Sequence, residues 1–547
     1  MADAATGTQT KGFLGWVERT GNKLPDPVFI FFYLIIALMV ISVAASVLGA
    51  NAVLDEQVLG GMPDAQKTRF GIGADGVIPA FSLLSAENIQ RLWVEMPKTF
   101  THFHPLGYVL VVMLGAGVAE RSGLFATAMR SAVSGAPKYL LTPVVALVAM
   151  VGNHAADAAY VVLIPLAGIL FASAGRHPLA GIAAAFAGVS GGFSANLFPG
   201  QLDALLYGIT EEAGEILVAG YDANIAGNWY FIAALLFIFL PIIWFVTDKI
   251  IEPRLGKWVP EGEFLDSYKD HDAALTDEQK KGLLWAGIAL IGVIALWTAM
   301  TIGPGTPLIN EAACPAELAA AGECSAISNY APFFRSLVGG FLVLFLATGW
   351  AYGAAANTIN NHKDLVAMMA DAMKDMGYYL VLAFAAAHFV AMFNWSNLGL
   401  ISAVHGANAI ESSGLPLPIL LGLIVLFSAL INLFIGSASA KWALLAPVMV
   451  PMLMLLGVSP DGATAVYRVG DSATNIITPL MVYFPLILIF AQRWKADFGL
   501  GSLTAMMVPY SIWLLISGLT LTVLWVYLGL DLGPGAPITY TLPSAGG

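Results

Sequence analysis

Nine apolar stretches long enough to cross a bilayer constrain this chain more than any other feature of its sequence. They lie at 28–50, 105–120, 178–203, 226–247, 282–302, 332–354, 377–393, 462–491 and 504–530; a spanning helix needs about 20 apolar residues. Two more apolar runs, 139–172 and 416–456, are too long for one helix. Each is broken near its middle by small and polar residues, at 152–157 and 436–441. Charged residues fill only 11% of the 547 positions, whereas soluble domains carry about 25%. A soluble chain would need far more polar surface. The expected fold class is an all-α polytopic membrane protein.

Loop charge decides what the two long runs are. If each returns to its own side as a re-entrant hairpin, the nine crossings alternate and Lys and Arg separate as the positive-inside rule demands. Seventeen then lie inside, from Lys11, Arg19 and Lys23 through Arg121, Arg176, Lys249 and Lys374 to Arg493 and Lys495. Five lie outside: Lys67, Arg69, Arg91, Lys98 and Arg335. Lys441 and Arg468 fall within the membrane. Treating either run as a crossing spoils this split. The expected setting is a bacterial inner membrane, with a cytoplasmic N-terminus and a periplasmic C-terminus.

The organisation that follows begins with a cytoplasmic segment, 1–27, whose residues 12–22 suit the inner interface. A first repeat, 28–247, contains the hairpin 139–172. Residues 248–331 hold a cytoplasmic segment, the connecting helix 282–302 and an outer loop. A second repeat, 332–530, contains the hairpin 416–456, and 531–547 form an outer tail. Cys314 and Cys324 share the outer loop, so they are expected to form a disulfide.

The repeat is written in glycines and prolines. At an offset of 282 positions, Pro165, Gly175, Pro178, Ala183, Gly188 and Ser190 meet Pro447, Gly457, Pro460, Ala465, Gly470 and Ser472. One extra helix between the halves inverts the second, a plan common in secondary transporters. Two crossings are interrupted, at Ser190, Ser194 and Asn196 and at Gly470, Asp471, Thr474, Asn475 and Pro479. Such irregular backbone is tolerated at the midplane only where protein or a water-filled cavity satisfies it.

At these residues the chain resembles the p-aminobenzoyl-glutamate transporter (AbgT) family, within a wider ion-transporter superfamily. The matching stretches include GNHAADAAYVVLIPLAG (152–168), SANLFPGQLD (194–203), GSASAKWALLAPV (436–448) and GDSATNIITPLMVYF (470–484). The resemblance implies a homodimer with nine crossings and two hairpins. It also implies transport of aromatic glutamate amides or export of sulfonamide-type antimetabolites. Residues carried over by motif are Asp203, Ser439, Trp442, Pro460, Arg468, Asp471 and Pro479.

The substrate is expected between the tips 152–157 and 436–441 and the breaks 190–196 and 470–479. Its polar contacts would be Asn153, Ser194, Asn196, Ser437, Ser439, Thr474 and Asn475. Asp157 and Lys441 are ionisable groups at or beside the tips, which marks them as functional candidates. Trp442 either stacks on a substrate ring or packs in the core. Arg468 and Asp471, three apart, are expected to pair on one helix face. Intramembrane Asp and Arg suit proton coupling; freed hydroxyls and carbonyls suit Na⁺, with Asn153, Ser190, Ser437 and Ser472 as a candidate set. No cofactor is expected.

Other classes are weighed as well. A net charge of −12 excludes the basic stripes that nucleic acid selects. There is no zinc-ligand spacing and no Walker loop. The polar N-terminal start predicts no removable signal peptide. Gly188-Val189-Ser190-Gly191 matches a short serine-protease pattern with His388 as a conceivable base, and a passive channel is the remaining alternative.

Overall fold

The computed structural model describes residues 25–155, 159–258, 275–303, 305–315 and 326–542. The interfacial segment 12–22, Asp157 and Cys324 lie outside the described residues. The chain is mostly helical. Eight described helical stretches are long and apolar enough to cross a membrane, or nine if one sharply bent pair counts as a span.

Helix α1 (Pro27–Val47) starts where the Asp26 carboxylate accepts the Val28 amide, with Pro27 in the first turn. A two-stranded antiparallel sheet follows, β1 (Asn51–Val53) on β2 (Val77–Pro79). Helices α2 (Ala86–Thr101), α3 (His104–Arg121) and α4 (Leu124–Ser134) lead into the first long apolar run. That run consists of α5 (Leu141–Val151), a tight turn at Gly152–Ala155, a π turn at Ala159–Leu163 and α6 (Ile164–Ser173). Helix α7 (Pro178–Phe186) ends in a π turn, Ala187–Gly191. The backbone is then irregular until α8 (Gln201–Gly214), and α9 (Trp229–Phe245) closes the first half.

Helix α10 (Asp277–Thr301) is the least buried of the candidate spans, with Leu284, Trp285 and Ile291 on its surface. It packs on α11 (Ala331–Ala355), which lies on α3. Next come α12 (His362–Asp375), α13 (Gly377–Trp395) and α14 (Leu398–Ser412). The second long run is α15 (Leu417–Asn432) and α16 (Ala438–Leu455). Helix α17 (Pro460–Thr474), an irregular stretch at 475–483 and α18 (Phe484–Gln492) form the second interrupted helix. Helix α19 (Leu500–Tyr527) ends the bundle. The tail turns back, with Ser459 donating to Ile538 and Tyr540 to Gly457 through their backbones.

The structure corrects two expectations. The second break lies at 475–483, not from Gly470, because Gly470 through Thr474 stay helical. Helices α2, α4, α12 and α14 were not anticipated. α12 carried a legible signal: Asn361 and Asp364 cap its start reciprocally, the capping-box arrangement.

Gly188 and Gly470, 282 positions apart, share one packing role. A Cβ on Gly188 would press on Ala146 and Ala149 of α5. One on Gly470 would run into the Val425 carbonyl of α15. Each interrupted helix thus lies backbone-to-backbone on the first arm of its own half. Gly470→Ala is expected to lower the stability of the detergent-solubilised protein by about 1–3 kcal/mol, the usual cost of overpacking. Gly287→Ala, where a Cβ meets nothing within 4 Å, is the control and should leave the thermal unfolding transition unchanged or raised.

Candidate functional site

Both breaks and both tips converge on one cavity of about 390 Å³. Asn153 comes from the first tip, Gly436 and Ala438 from the second. Phe193 and Gln201 come from the first break and the start of α8; Asn475, Met481 and Tyr483 come from the second break. Tyr160 and Tyr483 stack with ring centroids 4.3 Å apart, presenting an aromatic wall. Most of the remaining lining is apolar, from Val109, Val112, Met113, Leu202 and Leu205. At the far end lie Arg121 and Asp375, an ion pair joining α3 to the end of α12. Asp375 is 66% exposed, so this end meets solvent. A mainly apolar cavity with a few convergent amides is the usual form of a small-molecule site.

The tips are held by hydrogen bonds to irregular backbone. Asn153 Nδ2 donates to the Met150 carbonyl at 3.0 Å. His154 lies between two carbonyls, Val151 at 3.1 Å from Nδ1 and Phe198 at 2.9 Å from Nε2. Gln201 Nε2 donates to the His154 carbonyl, which ties the first tip to the first break. On the second tip, Ser437 caps α16, and its hydroxyl lies 3.2 Å from that of Ser439. Ser472 Oγ donates to the Gly191 carbonyl and accepts from the Ser194 amide. The two interrupted helices therefore touch directly.

Two buried ion pairs stand behind the cavity. Arg468 Nη1 donates to Asp203 Oδ1 at 2.6 Å, and the two side chains are 2% and 4% exposed. Asp203 also accepts the Gly200 amide at 2.7 Å, closing the N-terminus of α8, where a carboxylate is favoured. The second pair is Lys441 with Asp471; Lys441 Nζ also donates to Asn432 Oδ1. Asn432 Nδ2 reaches the Asp471 carbonyl at 2.7 Å and lies 2.9 Å from both Thr474 Oγ1 and Asn475 Oδ1. The expected Arg468–Asp471 pair is not formed. Both residues lie on α17, but Arg468 turns to α8 and Asp471 to α16, where each partner comes from another helix.

Other expectations sort themselves by burial. Asn153 and Asn475 line the cavity, whereas Ser194 and Asn196 are buried beside it with oxygens that have no protein partner. Thr474 Oγ1 donates to the Gly470 carbonyl at 2.9 Å, so it does not reach the cavity. Trp442 is fully buried and stacks on Tyr467 at 4.4 Å, which decides for core packing. Ser190 Oγ donates to Met481 Sδ at 3.4 Å. His388 Nδ1 lies 2.7 Å from its own helix at Phe384, unconnected to Ser190. Pro460 begins α17, and Pro479 lies in the second break. Cys314 is disulfide-bonded and buried.

The sequence reading missed Tyr160, Gln201, Tyr483 and the Arg121–Asp375 pair. It also missed Asn432, whose signal was present: a lone amide in an otherwise apolar arm.

Helices fit to cross a membrane, meeting at a cavity built from helix breaks, define a membrane transporter by class. Residues 12–540 match the AbgT transporter family, and the chain belongs to it. It is 36% identical over 539 residues to the p-aminobenzoyl-glutamate transport protein of Escherichia coli (strain K12), covering 98% of each chain. The YdaH transporter of Alcanivorax borkumensis, described as having an unusual topology, superposes with a TM-score of 0.82 at 38% identity. That match covers 93% of this chain and 100% of YdaH. MtrF of Neisseria gonorrhoeae, described as illuminating a class of antimetabolite efflux pumps, gives 0.85 at 41% identity, over 96% and 100%. The protein is a transporter and not an enzyme, which disposes of the protease reading.

The Lys441–Asp471 pair yields a stability prediction. Lys441→Met leaves a buried carboxylate without its cation and should cost about 3–5 kcal/mol. Lys441→Met with Asp471→Asn removes both charges and should recover much of that loss. Thermal unfolding in detergent measures both; equal losses in the single and double variants would mean that the charges are not coupled.

Proposed function

We propose that the protein is a secondary active transporter of aromatic glutamate amides such as p-aminobenzoyl-glutamate, of sulfonamide-type antimetabolites as exported cargo, or of both. The observation that carries this reading is the single cavity shared by both tips and both breaks. An aromatic ring fits against Tyr160, Tyr483 and Phe193, and amide donors from Asn153, Gln201 and Asn475 suit carboxylates or a sulfonyl group. The p-aminobenzoyl-glutamate transport protein of Escherichia coli supports the first cargo, and MtrF, of a class of antimetabolite efflux pumps, supports the second.

The finer architecture is read as nine crossings and two re-entrant hairpins in an inverted repeat, with both breaks near the midplane. The shared packing of Gly188 and Gly470 and the Ser472–Gly191 contact support the repeat. The 17-to-5 partition of Lys and Arg supports an inner-membrane setting with the N-terminus cytoplasmic and the C-terminus periplasmic. The cavity then opens inward, at the Arg121–Asp375 end. A homodimer is part of the same reading.

Transport requires the cavity to open alternately to each side. The buried pairs lie where α8, α16 and α17 meet, so rearranging these helices disturbs both. Moving Lys441 away from Asp471 would leave a buried carboxylate, which must bind a proton or Na⁺ to remain there. That links the gradient to the conformational change, with Asp471 as the coupling residue and Lys441, not Arg468, as its counterion.

Proteoliposome uptake with pH and Na⁺ gradients imposed separately tests the reading. Accumulation of p-aminobenzoyl-glutamate or a sulfonamide under one gradient is expected, and Asp471→Asn should bind cargo yet lose gradient-driven accumulation. Asn153→Ala with Asn475→Ala should weaken binding by about tenfold or more, since each lost hydrogen bond is worth about 1 kcal/mol. Conductance without accumulation would instead identify a passive channel.

A further inference from the structure

A second cavity of about 390 Å³ lies away from the cargo site, lined by Tyr108, Tyr207, Glu211, Glu215 and Asp222, with Arg335 paired to Asp222. His104 beside it lies 3.0 Å from Glu212 and 3.6 Å from Glu211, which hold its imidazole protonated and offset part of the acidic charge. Burial holds the Glu215 carboxyl above the usual carboxylate range. The vestibule is at the opposite end from Arg121, on the side where the tail returns.

A smaller cavity of about 20 Å³ continues from it, sharing Tyr207 and Ile225 as wall. Its lining is a polar seam between two facing helices. Asp203, Tyr207 and Thr210 come from α8, and Asp461, Thr464 and Arg468 from α17. Thr210 and Thr464 bridge the seam with hydroxyls 2.8 Å apart. It ends at the Arg468–Asp203 pair.

Three buried polar atoms on this cavity have no protein partner: Arg468 Nε, Arg468 Nη2 and Asn228 Oδ1. Arg468 is 2% exposed and Asn228 6%. Two donors and one acceptor facing a shared space are what one bridging water satisfies, and about 20 Å³ exceeds the 10–15 Å³ that a water needs. At the outer end, Asn228 Nδ2 donates to the Asp461 carbonyl at 2.9 Å. Asp461 Oδ1 rests against Gly227, in space that a Cβ there would take.

We propose that this seam is a proton path from the acidic vestibule to the Arg468–Asp203 pair, with Asp461 as its relay carboxylate. A proton taken up from vestibule water binds an Asp461 oxygen. It leaves as the Thr464 hydroxyl turns from the Pro460 carbonyl to donate to Thr210, and the Thr210 hydroxyl, held by Trp442 Nε1, donates to the water at Arg468, which passes a proton to Asp203. Only O–H bonds are made and broken, and the arriving proton neutralises Asp203, freeing it from the guanidinium. The titratable and charged groups facing Asp461 are Asp203 and Tyr207 on α8 and Arg468 on its own helix, which share its small cavity, and Tyr221 after α8, which its charge reaches.

The path rests on the transporter reading with a proton as the coupling ion. Proteoliposomes carrying Asp461→Asn test it by two measurements, accumulation driven by an imposed pH gradient and cargo exchange with no gradient. The variant should lose gradient-driven accumulation by about 100-fold, the contribution of a positioned proton-transfer group, and keep exchange. Asp461→Glu should restore accumulation with a displaced pH profile. If Asp461→Asn does not fold, Thr464→Val serves with the same expectation. A pH-driven wild type whose Asp461→Asn and Thr464→Val variants accumulate normally would overturn the relay alone. A wild type that transports cargo but ignores pH gradients would overturn proton coupling and the relay together, leaving the cargo site intact.

Discussion

Two cations are buried where a bilayer offers them no water. Arg468 and Lys441 each sit against a carboxylate supplied by a different helix, and that requirement holds α8, α16 and α17 in register. A buried charge that loses its partner costs several kcal/mol, so these helices cannot separate casually. They can part only if the carboxylate left behind binds a proton or Na⁺. The breaks on either side supply the freedom to do so, because irregular backbone at 192–200 and 475–483 lets the half-helices move without unwinding. Rigidity from the ion pairs and compliance from the breaks together make a switchable centre.

Two glycines place that centre. Gly188 and Gly470 allow α7 with its π turn and α17 to lie directly against α5 and α15. Ser472 then reaches Gly191 and Ser194 across the junction. Glycines that read as helix breakers are packing residues here, and the breaks fall after them. The ion pairs are spread unevenly: Arg468, Asp471 and Lys441 all lie in the second half of the sequence, and only Asp203 lies in the first.

Much of this was legible in the sequence because the bilayer imposes simple rules. Apolar length located most of the crossing helices, and glycine and proline spacing located the broken ones. Asn153 and Asn475 were found because amides beside helix breaks have few other uses. The pairing of Arg468 was misjudged because spacing along one helix says nothing of partners on its neighbours; Asp203 is 265 positions away. Gln201, Tyr160 and Tyr483 were missed because their role comes from the convergence of distant breaks. Helices such as α2 and α14 escaped notice because neither belongs to an apolar run long enough to count as a crossing.

The central claim is that cargo binds in the cavity where tips and breaks meet, reached from the Arg121–Asp375 end. Replacing Cys314 and Cys324 by serine and introducing Ala438→Cys places one thiol in that wall. Its labelling by a membrane-impermeant maleimide should be fast from the Arg121 side and slowed by saturating p-aminobenzoyl-glutamate or sulfonamide. Labelling only from the vestibule side, or at a rate that saturating cargo leaves unchanged, would contradict the account.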